Sequence, residues 1–388
     1  MKKTFFCFFT LFALIQPPAM AAETVRIGLT LGLTGKYAEM SAMQMKGYQL
    51  WEKQVNDRGG LAGRLVELII RDDGSDGPTA ANQYEKMLSN SEVDLVFGPY
   101  SSSITAAILP VVNRHGYPIL VGGASSDQLW AQGYRNVFGV YTPASRYTVG
   151  FLEMLVASGV DRVAILSADD FFSQSAADGA AKWARRYGLE IAFREVFPKG
   201  KQKLDEEIGR ASGSGAGVLI MCGHFQEAVS GREALARSDW KPAAYYATVG
   251  PVLQDYRDRL GSLAEGTFSS SQWEPNPDLA FPGSHQFLKD FTAAYSVVPS
   301  YHAATAFASG TLLEKAIHKT EVVDRKNLGE ALSALDTMSI IGRYGVDRTG
   351  MQIRQFPVII QWQKGRKEII WPEELQTADP VFEWTSHD

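Results

Sequence analysis

The stretch from Val93 to Ser126, VDLVFGPYSSSITAAILPVVNRHGYPILVGGASS, constrains the fold of this chain more than any other. Val93 to Phe97 and Pro118 to Val121 are short, largely apolar runs, which are typical of strands covered on both faces of a sheet. Between them, Ile104 to Arg114 carries apolar residues at helical spacing. A strand, a helix and a second strand in this order predict a parallel α/β unit.

Both strands of this unit end in small and hydroxyl-bearing residues. The first is followed by Tyr100, Ser101 and Ser102, and the second by Gly123, Ala124 and Ser125. Open α/β sheets bind ligands at the edge formed by the carboxyl ends of their strands. Serine at a helix start can cap the helix, and free N–H groups there attract anions. The two loops therefore predict a site for the carboxylate of a small ligand.

Strand and helix patterns alternate along the whole chain from Thr24. Tyr141-Thr142-Pro143 is interpreted as a crossover, because proline disfavours helix in the residue before it. A second alternating series follows, Gly266 to Ser270 is predicted to cross back, and two strands around Lys364-Gly365-Arg366 are predicted to form a final hairpin. This organisation and the length of 388 residues predict two α/β units with parallel sheets and helices on both faces.

Residues 1–21 have the pattern of a secretory signal. Lys2 and Lys3 precede an apolar run from Phe5 to Ile15, which is too short to span a bilayer, and Ala19-Met20-Ala21 has the form of a cleavage site. We expect cleavage after residue 21 and a periplasmic location for the mature chain.

Composition excludes several classes of partner. The formal charge is −5 and there is no basic run, so we expect no nucleic-acid binding. No later segment has the apolar length of a membrane span, so we expect no membrane insertion after cleavage. Cys222 is the one cysteine outside the signal segment, which rules out an internal disulfide, and its apolar surroundings predict a buried residue.

The familiar catalytic and cofactor motifs are absent from the sequence. There is no Walker A motif, no dinucleotide fingerprint and no G-x-S-x-G, and the serines after Tyr100 fit capping or binding better than nucleophilic attack. His224 and Glu227 are fewer ligands than most metal sites need. We predict no enzyme activity, no cofactor and no metal.

Six segments, taken in this order, give the chain a specific resemblance. They are RIGLTLGLTGKYAEM, VNDRGGLAGRLVELIIRDDGSD, DLVFGPYSSS, GYPILVGGASS, GRYGVDRTG and QWQKGRKEIIWPEEL. With them the mature chain resembles the type I periplasmic binding proteins of ABC importers, in the leucine/isoleucine/valine-binding branch. The resemblance implies two doubly wound α/β lobes, joined by a three-stranded hinge, that close over a ligand. By position, residues 24–141 plus 267–343 would form one lobe and residues 142–266 plus 344–388 the other.

The resemblance also implies which residues would hold the ligand and what the protein would deliver it to. The ligand carboxylate would lie against the loops that contain Tyr100, Ser101, Ser102, Gly123, Ala124 and Ser125. The second lobe would contribute Phe172 and His224, at positions where the family's amino-acid binders usually carry tyrosine. The implied partner is an inner-membrane ABC permease, and we expect the binding protein to be a monomer.

One departure from the family pattern concerns the ligand's ammonium group. The acidic residue that pairs with it falls at or next to Val249, in a stretch without any acid. A buried ammonium needs a charged or dense acceptor, so the ligand is predicted to have a carboxylate or similar acceptor and an apolar or aromatic body. Asp255, Asp169 or Asp170 could still accept an amine. Phe171, Phe172 and Trp130 could form apolar walls or simply pack in the core.

Two other functions remain open at this point. The same fold could serve as a periplasmic sensor for a signalling partner or an oxidation system. A hydrolase on an α/β scaffold would need turnover that depends on Ser101.

Overall fold

Two sheets, one of five strands and one of seven, form the frame of the molecule. They are seen in a computed structural model that describes residues 24–276 and 281–382. The predicted signal peptide lies outside these residues. Among the described helices, none combines the length and the apolar character needed to cross a bilayer.

The first sheet is built from the amino-terminal series of strands and helices. These are β1 (Val25–Leu31), α1 (Ala38–Asp57), β2 (Val66–Asp72), α2 (Gly77–Ser89), β3 (Leu95–Phe97), α3 (Ser102–Arg114), β4 (Ile119–Val121), α4 (Gln128–Ala131) and β5 (Val137–Gly139). The strands lie in the order β2-β1-β3-β4-β5, and all four neighbouring pairs are parallel. The parallel unit predicted from residues 93–126 is confirmed.

The second sheet repeats this arrangement and then adds a hairpin. Its first part comprises α5 (Val149–Ala157), β6 (Arg162–Ala168), α6 (Phe171–Arg186), β7 (Glu190–Phe197), α7 (Asp205–Ser212), β8 (Val218–Cys222), α8 (Phe225–Arg237), β9 (Ala244–Ala247), α9 (Gln254–Leu260) and β10 (Phe268–Ser271). The chain continues with α10 (Ser284–Tyr295), α11 (Tyr301–Thr320), α12 (Arg325–Ser333), β11 (Thr337–Ser339), β12 (Gly342–Tyr344), β13 (Val358–Gln363) and β14 (Arg366–Trp371). The strand order is β14-β13-β10-β9-β8-β6-β7, and the antiparallel β13 and β14 make this sheet mixed.

The structure contains short elements that the sequence did not predict. They are helices α7 and α9 and strands β11 and β12, which were missed because segments of three to eight residues carry too little periodic signal. The lobe bounds drawn from residue 267 remain a prediction. Strand β10, in the segment predicted to cross back, pairs with β9 and β13 in the seven-stranded sheet. By contrast, the core residues of α10, α11 and α12 pack with those of the first sheet.

Both sheets reverse their winding direction at the same relative position. The chain moves from β1 outward to β2 and returns on the other side of β1 as β3, and it does the same at β6, β7 and β8. The reversal leaves a crevice at the carboxyl ends of the two strands that flank it. Tyr100 follows β3 and His224 follows β8, so each lies at one of these crevices.

Helix α1 packs closely against α11, which secures the carboxyl-terminal helices to the first sheet. Two glycines allow this contact. A Cβ atom at Gly47 would lie 2.2 Å from the carbonyl oxygen of Ala303, and one at Gly310 would lie 2.1 Å from the ring of Trp51. The backbone of each helix therefore approaches the other more closely than any side chain would permit.

We predict that Gly47→Ala lowers the free energy of unfolding by about 1–3 kcal/mol, because the added methyl group overlaps backbone that cannot move aside. Gly209→Ala, at an exposed position of α7 with no atom within 4 Å of the new Cβ, is the matched control. It should raise the free energy of unfolding by up to about 1 kcal/mol, the ordinary helix-propensity gain. Urea denaturation of both variants measures the difference, and a stabilised Gly47→Ala protein would contradict the packing described here.

Candidate ligand-binding site

A narrow cavity lies where the carboxyl edges of the two sheets meet. A sphere the size of a water molecule has about 10 Å³ of room in it. The residues that line it are Tyr100, Ser101, Ser102, Gly123, Ala124, Ser125, Tyr141, Tyr147, Phe172, His224, Val249 and Tyr301. All of them are buried. The structure thus brings all nine predicted site residues to one cavity; that they contact a ligand remains a prediction.

The first-sheet side of the cavity is formed by two loops that are tied together. Ser102 Oγ accepts hydrogen bonds from the backbone N–H groups of Ser125, at 3.2 Å, and Ser126, at 3.1 Å. Gly123 is needed where the loops meet, because a Cβ atom there would lie 2.7 Å from the carbonyl oxygen of Pro99. The positions of the two loops are therefore coupled.

Ser101 does not use its side chain to cap a helix. It is the N-cap residue of α3, but its side chain makes no capping hydrogen bond. Its buried Oγ has no hydrogen-bond partner of good geometry within the described residues. A buried hydroxyl without a partner is costly, and a ligand acceptor in the cavity would satisfy it.

Three tyrosines in the wall were not predicted from the sequence. The hydroxyl of Tyr147 donates to Ser125 Oγ at 3.1 Å. The hydroxyl of Tyr141 has no hydrogen-bond partner of good geometry in the described chain, and in this it is similar to Ser101 Oγ. The rings of Tyr141 and Tyr301 meet edge to face, with centroids 5.6 Å apart. Tyr141 follows β5, so the rule that ligands bind at carboxyl strand ends could have found it. Tyr147 lies just before α5 and Tyr301 is the first residue of α11, and neither gave a comparable signal.

The second-sheet side presents Phe172 and His224. Their rings lie 4.9 Å apart, and Phe172 also contacts Tyr147 edge to face at 5.5 Å. His224 Nδ1 lies 3.3 Å from the hydroxyl of Tyr100, which belongs to the first unit. This hydrogen bond joins the two crevices directly across the cavity.

A cluster of charged side chains lies directly behind His224. Asp170 Oδ1 lies 3.6 Å from His224 Nε2, and Lys199 Nζ lies 3.3 Å from Asp170 and 2.8 Å from Glu227. Asp170 also accepts hydrogen bonds from the N–H groups of Phe172 and Ser173 at the start of α6. The cluster therefore holds two carboxylates, one ammonium group and one imidazole.

The protonation states follow from burial and from these contacts. Burial and the Lys199 ammonium lower the pKa of His224, although Asp170 opposes them, so the imidazole is neutral at pH 7. Burial alone would raise the pKa of Asp170, but its contacts with His224 and Lys199 hold that pKa far below the usual range. The Lys199 charge likewise overcomes burial and lowers the pKa of Glu227. Both acids are ionised, and the cluster carries one net negative charge.

No acidic residue lines the cavity in the described part of the chain, and Val249 occupies the wall where the family's acid was expected. Asp255 is exposed in the first turn of α9, and Asp169 accepts a hydrogen bond from the N–H of Lys199. Asp170 lies behind His224. None of the three acids considered from the sequence reaches the cavity wall.

Two aromatic residues considered from the sequence also stay outside the wall. Trp130 is buried in the core beside the five-stranded sheet, and its Nε1 donates to the carbonyl of Val137. The interpretation that Trp130 packs in the core is therefore confirmed. Phe171 is 38% exposed, so the core-packing interpretation is wrong for it. Its carbonyl oxygen accepts a hydrogen bond from Ser126, a contact between the two units.

We predict that Lys199→Met lowers the free energy of unfolding by about 3–5 kcal/mol, because it leaves Asp170 and Glu227 buried without their counter-ion. Lys53→Met removes the exposed ion pair with Asp57 and should leave unfolding nearly unchanged. Urea denaturation at neutral pH compares the two variants. Equal stabilities would show that the cluster does not depend on Lys199.

The chain is similar to known proteins in both sequence and fold. A sequence model described as periplasmic binding protein matches residues 24–367. Leu/Ile/Val-binding protein homolog 7 of Brucella melitensis is 22% identical over 385 residues, covering 95% of this chain and 96% of the relative. Leu/Ile/Val-binding protein homolog 8 of Brucella abortus is 24% identical over 380 residues, covering 93% and 94%.

Two solved structures show the same fold. The substrate-binding protein LivJ from Streptococcus pneumoniae, in complex with isoleucine, superposes with a TM-score of 0.79 at 21% identity over 89% of this chain and 98% of LivJ. A solute-binding protein from R. palustris in complex with benzoate gives a TM-score of 0.79 at 18% identity over 89% and 95%. With the match of the sequence model over most of its length, these findings show that the chain belongs to the periplasmic binding protein family.

Proposed function

We propose that this protein is the periplasmic substrate-binding component of an ABC importer and that it captures a small organic carboxylate. The observation that carries the proposal is the shared cavity, which is lined from the carboxyl ends of both sheets by all nine residues expected to bind a ligand. Membership of the periplasmic binding protein family supports the same role.

The first-sheet loops supply what a carboxylate requires. Ser101 Oγ and the hydroxyl of Tyr141 are buried donors without partners of good geometry among the described residues. The start of α3 adds backbone N–H groups and the positive end of a helix dipole. A carboxylate accepts several hydrogen bonds at once, so it satisfies these donors better than a neutral group does.

The opposite wall favours a ligand without an α-ammonium group. Phe172, His224 and Val249 face the cavity, and none of the described lining residues is an acid. The aromatic rings suit an apolar or aromatic body. Among similar folds, one was solved with benzoate and others with leucine or isoleucine, so the fold accommodates both kinds of ligand.

The protein would work by closing its two lobes over the ligand. The lobe formed by residues 24–141 and the helices that pack on it would close onto the lobe that carries the seven-stranded sheet. Binding would stabilise the closed form only by the ligand's greater affinity for it. A monomer would then present the ligand to an inner-membrane permease without chemical change. A role as a periplasmic sensor would use the same cavity, and the genes beside this one would distinguish the two roles.

We predict that carboxylic acids lacking the amine raise the melting temperature of the mature chain, residues 22–388, more than the matching amino acids do. The pairs to compare are 4-methylpentanoate with leucine and 3-phenylpropanoate with phenylalanine, with benzoate added. A ligand at a hundred times its Kd adds about 2.7 kcal/mol to the free energy of unfolding, which a thermal-shift assay detects. Tight binding of leucine would contradict the argument from Val249.

We predict that Ser101→Ala weakens carboxylate binding by about 1–3 kcal/mol, or roughly 5- to 150-fold in Kd, because it removes a buried donor to the ligand. Ser103→Ala, two positions along α3 and outside the cavity wall, is the control and should bind normally. The empty Ser101→Ala protein should melt as the wild type does, since this hydroxyl has no good partner in the described structure. Calorimetry measures the affinities, and turnover of an ester or amide that Ser101→Ala abolishes would favour a hydrolase instead.

A further inference from the structure

The charged side chains beside the cavity carry a net negative charge, which opposes the binding of an anionic ligand. Behind His224, the ionised Asp170 and Glu227 face the single positive charge of Lys199, which leaves one negative charge in a region almost closed to water. Side-chain exposure there is 8% for Asp170, 1% for Glu227 and 15% for Lys199. Like charges in such surroundings repel strongly, because little solvent screens them. A carboxylate that enters the cavity therefore needs a compensating positive charge.

His224 is the group that can supply this charge. It is the one titratable side chain of the described cavity wall other than tyrosine, and its imidazole stands between the cavity and Asp170. We propose that the site takes up its carboxylate ligand together with one proton from solvent, and that His224 holds this proton. The inference rests on the proposed function, because it requires that the cavity binds a carboxylate.

The contacts of the imidazole show where the proton would be added. Nε2 faces the carboxylate of Asp170, so in the neutral ring this nitrogen carries the hydrogen and Nδ1 accepts from the hydroxyl of Tyr100. Nδ1 is then the basic nitrogen of the ring, and the Tyr100 hydroxyl that it contacts belongs to a residue of the cavity wall. Protonation there gives an imidazolium ion that donates to Asp170 from Nε2 and towards the ligand from Nδ1. The buried Nε2, which has no hydrogen bond of normal length in the described structure, would then gain one.

The groups packed around His224 from each neighbouring element are consistent with this role. They are Tyr37 before α1, Tyr100 after β3, Asp170 and Phe172 at the start of α6, Lys199 after β7, Glu227 in α8 and His302 in α11. The tyrosines are neutral, since burial raises the pKa of each. Burial also lowers the pKa of His302 to about 3, so it stays neutral. Burial and the Lys199 charge disfavour the imidazolium, and both carboxylates favour it.

The proton distinguishes between classes of ligand. A carboxylate without an amine brings one negative charge, which the proton on His224 balances. A zwitterionic amino acid brings its own ammonium group and needs no proton. The cavity would thus select monoanions, and their binding should weaken as pH rises. Between the pKa of His224 in the empty protein, which is lowered, and its higher pKa in the complex, the affinity should fall about tenfold per pH unit.

Calorimetry tests the proposal with benzoate and 4-methylpentanoate as the probes. Titrations in phosphate and in imidazole, buffers with small and large ionisation enthalpies, give the number of protons taken up. The titrations should span about pH 5.5 to pH 8, where histidine titrates. We expect uptake that approaches about one proton per ligand within this range. His224→Gln should abolish the uptake and the pH dependence of affinity. His318→Gln replaces an exposed histidine outside the cavity wall and should change neither.

NMR of histidine labelled at Cε1 provides a second measurement on the wild-type protein, should His224→Gln fold poorly. The His224 resonance should titrate at a higher pH in the complex than in the empty protein. Binding without proton uptake would overturn the inference and leave the proposed function intact, and so would uptake that persists in His224→Gln. If no carboxylate binds at any pH, the proposed function itself fails and this inference fails with it.

Discussion

The reversal of winding direction in both sheets is the constraint on which the rest of the structure depends. Each sheet leaves a crevice where the chain changes sides, between β1 and β3 and between β6 and β8. At a crevice the carboxyl ends of two strands present their following loops side by side. When the two crevices face each other, Tyr100 and His224 meet at 3.3 Å and a single cavity forms between them. Most of the residues that line it therefore follow strands, whatever their separation along the chain.

Hydroxyl groups in the cavity wall are of two kinds. Some make hydrogen bonds that hold the loops in place, and others have no hydrogen-bond partner of good geometry in the described chain. Ser102 and Tyr147 use their hydroxyls to hold the loop around Ser125 in place. Ser101 and Tyr141 lack partners of good geometry in the described chain, although both are buried. Buried hydroxyls are normally satisfied, and exceptions tend to mark function. The hydrogen-bonded hydroxyls of Ser102 and Tyr147 give the wall its shape. The hydroxyls of Ser101 and Tyr141 indicate where a hydrogen-bond acceptor of the ligand would lie.

The second wall departs from the pattern of an amino-acid binder in a coherent way. Val249, His224 and Phe172 line it at positions where the resemblance implied an acid and two tyrosines, and the carboxylate of Asp170 lies behind the imidazole, engaged by Lys199 and by α6. A charge held in this way cannot serve a ligand ammonium directly. It can act on the imidazole, which makes His224 the link between the charged cluster and the cavity.

The sequence alone determined the class of fold, the two units and the residues at the strand ends. These features depend on local patterns: apolar runs for β3 and β4, and the loops that contain Ser101 and Ser125. It did not determine the membership of β10, because a short strand pairs with whichever sheet lies beside it. It also missed Tyr147 and Tyr301, which enter the cavity from the starts of helices. Only the tertiary structure placed Asp170 and Lys199 behind His224, because burial and electrostatic coupling depend on distances between segments far apart in sequence.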